Sequence, residues 1–199
     1  MANRITIYML DLKTIEAKES DFDLCLTEPD RIRKSRYVRQ EDALRFLGGR
    51  YLIHTYVPGK LCFTERQKPY VGAQPDFSLS HAGDKVVLGI ATKGRIGIDI
   101  EGDRSSYGDW TNRLLTDYEK TSVKDPESFF RVWTRKEALM KLTGFGLGLD
   151  ATKIETIKEE PFIVCDGQRY YAKSLQIGNL WLSICADFEW DDIRFINVD

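Results

Sequence analysis

Two carboxylates share one short stretch, Ile96-Gly97-Ile98-Asp99-Ile100-Glu101, and their spacing is the first sign of chemistry in this chain. Isoleucine at every second position predicts a β-strand. Alternation then puts Ile96, Ile98 and Ile100 on one face and Gly97, Asp99 and Glu101 on the other. Like charges this close repel, unless a cation lies between them or one is protonated. Gly97 leaves room in front of them. Alone, the stretch reads as a half-buried strand ending in two solvated acids. A third carboxylate changes that reading. Residues 127 to 143 form a helical pattern, and at about 100° per residue Phe129, Phe130, Val132, Trp133, Leu139 and Met140 make one broad face. Arg131, Thr134, Arg135 and Ala138 fall opposite. Glu137 falls inside the apolar face, between Trp133 and Phe130, where a glutamate belongs only if paired or metal-bound. Lys141 lies one turn on, beside Glu137, and Lys136 borders the face from its other edge. A simple Glu137–Lys141 pair would account for the charge, but not for a glutamate among aromatics.

Asp99, Glu101 and Glu137 make a hard-oxygen set with no His or Cys at ligand spacing, which favours Mg²⁺ or Mn²⁺ over zinc. Magnesium keeps several waters and takes further ligands from a substrate's phosphates. The chemistry implied is phosphoryl or nucleotidyl-type transfer, with a lysine nearby to neutralise developing charge. Candidate phosphate contacts come from elsewhere in the chain. Arg33 sits in the basic run Arg31-Ile32-Arg33-Lys34-Ser35-Arg36 near a helix start. Such a run is either a forked phosphate grip or a solvated face. Ser80-His81 ends a strand just before the acidic one. Gly144-Phe145-Gly146-Leu147-Gly148 fits neither a Walker loop nor G-x-G-x-x-G and reads first as a helix stop.

The elements that must position these residues can be read in order. Arg4 to Leu12 alternates as an opening strand. Glu28-Pro29-Asp30 starts a helix with Asp30 as its cap. The pattern from there to Tyr56 fits two helices, or one bent near Gly48-Gly49. Phe77 to Ser80 and Lys85 to Ala91 form a hairpin, and the acidic strand follows. Gly102 to Asp109 is a candidate linker, and Trp110 to Val123 a helix. Asp125-Pro126 starts the next helix, which stops at Gly144. The remainder is β-rich, with a hairpin signal at Asp166-Gly167 and an acidic end, Glu189 to Asp199, expected to trail off the fold. Both halves offer helix followed by antiparallel strands. The fold expected is α+β, two similar lobes meeting near residue 103, so 1–103 and 104–199.

Composition narrows the class. The 199 residues are 42% hydrophobic and 30% charged, with a net charge of −2. That describes an ordinary globular protein with no global field drawing it to nucleic acid or a membrane. No signal peptide and no bilayer-length apolar run is found. The four cysteines, at 25, 62, 165 and 185, form no C-x-x-C, so core thiols in a reducing cytoplasm are expected.

Three motifs in order, F-S-L-S-H-A-G, G-I-D-I-E and W-T-R-K-E-A-L-M-K-L-T-G-F-G-L, resemble the 4′-phosphopantetheinyl transferases, and within them the larger type that activates surfactin synthetase. The resemblance covers most of the chain from Arg31 onward and includes Lys68-Pro69. It implies a pseudo-dimer of two α+β lobes with the active site in the cleft. It implies transfer of the phosphopantetheine arm of coenzyme A to a serine of an acyl, peptidyl or aryl carrier protein, releasing adenosine 3′,5′-bisphosphate. Asp99, Glu101 and Glu137 would hold Mg²⁺ with the pyrophosphate, and Lys141 would support the departing phosphate. Glu137, or a water it shares with the metal, would take the serine proton. Arg33, Ser80, His81 and Lys68, with Arg31 and Lys136 added, would contact coenzyme A. Trp110, Leu114, Leu115 and Glu119 are candidates for carrier docking, and the chain is expected to act as a monomer. Gln67 stands where many members carry Gly. A coenzyme A- or carrier-binding module without strong catalysis, and a Mg²⁺-dependent phosphodiesterase, are the rival readings.

Overall fold

The computed structural model describes residues 3–65, 68–72, 75–102, 111, 113–158 and 160–199. Its elements run β1 (Arg4–Asp11), α1 (Leu12–Ala17), α2 (Glu19–Asp23), α3 (Glu28–Lys34), α4 (Gln40–Tyr56), β2 (Cys62–Phe63), β3 (Pro69–Tyr70), β4 (Asp76–Ala82), β5 (Lys85–Ala91) and β6 (Ile96–Gly102). They continue with α5 (Asp117–Ser122), α6 (Pro126–Thr143), β7 (Phe162–Cys165), β8 (Gln168–Ile177), β9 (Leu180–Ala186) and β10 (Asp192–Val198). This is the α+β class expected. Two four-stranded sheets carry it, ordered β10-β1-β5-β4 and β6-β9-β8-β7.

Layering follows from which faces are apolar. One face of the first sheet (Leu10, Val86, Leu88, Phe77) is covered by α4 through Leu44, Leu47, Leu52 and Ile53. Its other face (Ile5, Ile7, Val87, Ala91) packs on the isoleucine face of β6 and on Leu182 and Ile184 of β9. The far face of the second sheet is covered by α6 through Ala138, Leu139 and Leu142. The alternation read in β6 is therefore real: Ile96, Ile98 and Ile100 are wholly buried between the sheets.

Where the sheet edges meet, β4 and β6 are joined by side chains rather than by a backbone ladder. Asp76 Oδ2, Ser78 Oγ and Ser80 Oγ accept the amides of Ile96 (2.8 Å), Ile98 (3.0 Å) and Ile100 (3.3 Å). Three short polar side chains at period two thus satisfy three edge N–H groups that would otherwise be orphaned.

Several expectations change. Thr27, not Asp30, caps α3, and Asp30 is the third residue of that capping box. Gly48 and Gly49 lie inside an unbroken α4; the break comes earlier, between Lys34 and Gln40. These glycines serve close packing, since a Cβ at Gly49 would meet Leu79 at 2.8 Å. The helix expected over 110–123 is interrupted: Thr111, Arg113 and Leu114 are helical, and after a break at Leu115 and Thr116 it resumes as α5, capped by Thr116. Trp110, Gln67 and most of the candidate linker lie outside the described residues. The acidic end does not trail off: β10 pairs in parallel with β1, Arg4 opposite Asp192 through Leu10 opposite Val198. β6 in turn joins the second sheet. The two sheets therefore exchange strands across the expected boundary at residue 103.

The side of α6 opposite the apolar face is also buried, with Thr134, Arg135 and Ala138 all covered. α6 lies directly on β6, and Gly97 is the reason it can. A Cβ there would overlap the Ala138 carbonyl oxygen and the Leu142 backbone nitrogen. The room that Gly97 leaves is thus filled by helix backbone. Gly97→Ala is expected to lower stability by at least about 1–3 kcal/mol, read as a drop in the urea midpoint at unchanged slope.

Candidate active site

β6 presents Asp99 and Glu101 towards α6, which lies across that face and brings Glu137. One oxygen from each of the three carboxylates lies within 4.8 Å of the others. Asp99 is 2% exposed. Its Oδ1 accepts hydrogen bonds from Ser80 Oγ at 2.8 Å and from Lys141 Nζ at 2.6 Å. Its Oδ2 is buried without a hydrogen-bond partner. Lys141 Nζ also donates to Ser80 Oγ at 2.8 Å. Lys141 therefore does more than accompany Glu137 along the helix: it reaches across to β4 and β6 and ties the three elements together.

Crowding shows in the acid–base chemistry. Burial first, and the Asp99 carboxylate next, push Glu137 up to about 8; Lys141 opposes the rise and Glu101 adds to it. An orphaned buried carboxylate oxygen, two carboxylates facing it and an all-oxygen donor set fit a hard divalent cation.

Two cavities adjoin this cluster along β4 and share Leu79 in their lining. One, of about 300 Å³, runs past Lys68, Phe77, Leu79, Met140 and Lys141. Lys68 is half-buried there, 3.8 Å from Asp76, and burial pulls its ammonium below the usual lysine range. The other, of about 250 Å³, is lined by Arg33, Tyr37, Phe46, Arg50, Phe63 and His81 among others. So Asp99, Glu101, Glu137, Lys141 and Ser80 are brought together, with Arg33 and His81 in one adjoining cavity and Lys68 in another.

Two expected contacts are placed elsewhere. Lys136 is wholly buried on the far side of α6, paired with buried Glu119 and donating to the carbonyls of Leu114 (2.8 Å) and Ala151 (2.7 Å). Its side chain is spent holding the segment before α6, and it does not line the cavities beside the acids. Arg31 points outward, 4.0 Å from Glu28 and donating to the Asp23 carbonyl. Among the docking candidates, Leu115 and Glu119 are fully buried and unavailable to a partner. The residues that escaped notice are Asp76, Ser78 and Arg50. Short polar residues at period two in Asp76-Phe77-Ser78-Leu79-Ser80 were the legible signal for the first two; Arg50 carried none.

Comparison with known proteins agrees with this geometry. The profile of the 4′-phosphopantetheinyl transferase superfamily matches residues 95–193, which include all three carboxylates and Lys141. A Bacillus subtilis 4′-phosphopantetheinyl transferase is 32% identical over 155 residues, covering 69% of each chain. The 4′-phosphopantetheinyl transferase AcpT of Escherichia coli K12 is 30% identical over 154 residues, 71% of this chain and 74% of its own. HetI of Nostoc, another 4′-phosphopantetheinyl transferase, is 28% identical over 184 residues, 81% and 78%. The chain belongs to the 4′-phosphopantetheinyl transferase superfamily, an enzyme class. Among the described residues no helix is long and apolar enough to cross a membrane.

The raised Glu137 carboxyl makes a prediction for the protein without metal. A group held above its ordinary value of 4.5 contributes stability that is present below that value and lost as pH rises through about 8. The thermal midpoint of the metal-free protein should fall across that window, and Glu137→Gln should flatten the fall. Saturating Mg²⁺ should do the same for the wild type. Parallel pH profiles for wild type and variant would contradict the assignment.

Proposed function

We propose that this chain transfers the 4′-phosphopantetheine arm of coenzyme A to the serine hydroxyl of an apo carrier protein and releases adenosine 3′,5′-bisphosphate. The observation that carries the reading is the convergence of Asp99, Glu101 and Glu137 around an orphaned Asp99 oxygen, with Lys141 on the opposite oxygen. Membership of the superfamily supports it. Asp99, Glu101 and Glu137 would hold Mg²⁺, and Mn²⁺ suits the same donors. When bound, the ion neutralises pyrophosphate charge that would repel a nucleophile.

The chain's own groups do the rest. Glu137, or a water it shares with the ion, would take the proton of the attacking serine. The new bond forms from the serine oxygen to the phosphorus bearing pantetheine. The bond from that phosphorus to the bridging oxygen breaks, and the electron pair leaves with the adenosine side. Lys141, held by Asp99 and Ser80, meets the charge that develops there. The partner supplies the nucleophile, so the enzyme needs a base and alignment only. Arg33, His81 and Lys68 line the flanking cavities and would receive the remaining phosphate and the arm. The site draws on β4, β6 and α6 of a single chain, which supports action as a monomer. Four free thiols support a reducing, cytoplasmic setting.

Incubation with coenzyme A, Mg²⁺ and an apo acyl carrier protein should add one phosphopantetheine to the carrier in intact-mass spectra. Asp99→Asn and Glu137→Gln should each lower kcat/KM on the order of 10²–10³-fold. Hydrolysis of coenzyme A with no carrier modified would instead point to a phosphodiesterase. Binding of coenzyme A with several carriers left unmodified would point to a binding module.

A further inference from the structure

Ser80 uses its whole hydrogen-bonding capacity inside the protein. A hydroxyl offers one proton and two lone pairs. The Ser80 proton goes to Asp99 Oδ1 at 2.8 Å. Its lone pairs take Lys141 Nζ at 2.8 Å and the Ile100 amide at 3.3 Å. The residue is 6% exposed. Its hydroxyl has nothing left for a ligand, so what Ser80 does for the reaction it does through Asp99 and Lys141.

Its effect on Asp99 is to close one oxygen. Oδ1 has two lone pairs as well, and Ser80 and Lys141 fill both, Lys141 at 2.6 Å. An ammonium that close also repels any cation approaching Oδ1. Oδ2, buried and without a hydrogen-bond partner, is the oxygen that remains. Asp99 can therefore offer a cation one oxygen and not two. The carboxylate has little freedom to turn and present both, because Asp99 is 2% exposed on a strand locked between two sheets.

The number of oxygens a site offers separates large hard cations from small ones. Ca²⁺ fills about six to eight positions, readily takes both oxygens of a carboxylate, and suits sites that can widen. Mg²⁺ takes about six at shorter range, keeps several waters, and accepts single carboxylate oxygens. Widening is not open to this site. β6 and α6 touch at Gly97, where the Ala138 carbonyl and the Leu142 nitrogen already fill the space a Cβ would need.

We propose that Ser80 is a positioning residue for ion choice: by closing Asp99 Oδ1 together with Lys141, it makes Asp99 a one-oxygen ligand and turns the acid site towards Mg²⁺ and away from Ca²⁺. The inference rests on the reading of Asp99, Glu101 and Glu137 as a cation site, and adds to it the means by which the ion is selected.

The test needs neither coenzyme A nor a carrier. The electron paramagnetic resonance signal of free Mn²⁺ reports binding to the metal-free protein, and Mg²⁺ or Ca²⁺ added as competitor gives the affinity of each. Wild type should hold Mg²⁺ more tightly than Ca²⁺. Ser80→Ala frees a lone pair of Oδ1, and the ratio of the two affinities should shrink on the order of 10-fold. Ser80→Thr, which keeps the hydroxyl, should restore the ratio. Loss of both affinities in equal proportion would reduce Ser80 to a residue of the β4–β6 seam and overturn the proposal. A second measurement uses wild type alone, should the variants fold poorly. In crystals soaked with Ca²⁺, Asp99 should touch the ion through Oδ2 only. Both Asp99 oxygens on the ion, or Ca²⁺ held as tightly as Mg²⁺ in solution, would overturn it. Absence of any Mn²⁺ binding would overturn it too, while the intact-mass experiment with the carrier decides the transferase reading separately.

Discussion

Mutual repulsion of three carboxylates packed within 4.8 Å is the constraint on which the rest of this structure depends. Left in water, Asp99, Glu101 and Glu137 would move apart. The fold prevents this by mounting them on two rigid elements whose backbones touch. β6 cannot retreat, because its isoleucine face is locked between two sheets and its edge amides are held by Asp76, Ser78 and Ser80. α6 cannot lift away, because its other sides are buried and its backbone rests on Gly97. Lys141 and Ser80 neutralise one oxygen of Asp99 and leave its second one bare. Strain of this kind, kept by surroundings that over-determine it, is what a binding site for a compact cation requires.

A second consequence is how the surrounding polar groups divide their labour. Ser80 belongs to the seam between the sheets and to the acid cluster at once, because its oxygen accepts from Ile100 and from Lys141 while donating to Asp99. The neighbouring side chains of β4, alternating to the opposite face, enter the basic cavity. One strand thus separates the acid cluster from the basic cavity by a single residue. Lys136, adjacent to Glu137 in the chain, is wholly buried and turned to other partners. With Glu119 and Thr156 it forms a satisfied buried polar network that fixes the segment leading into α6.

Much of this was legible because the signals were local. The cap at Asp125 and stop at Gly144 framed α6, and helical phase then put Glu137 at an address unsuited to a free carboxylate. Period-two isoleucines set the faces of β6. What was not legible depended on partners remote in sequence. Helical phase assigned Lys136 to the border of a face, but could not tell that Glu119 and two carbonyls would close over it. The acidic composition of residues 189–199 suggested a free end, whereas β1 offered an open parallel edge that no local pattern announces. Asp30 looked like a cap because Glu28-Pro29-Asp30 reads as a helix start; its partner, Arg50, stands twenty residues on.

Central to the account is that these three carboxylates form a site for one divalent cation. Anomalous diffraction from crystals grown with Mn²⁺ tests this most directly. The account predicts a single strong peak at about 2.1 Å from Asp99 Oδ2 and from oxygens of Glu101 and Glu137, absent from Asp99→Asn crystals. A featureless map at that position, or a peak held by other residues, would contradict it.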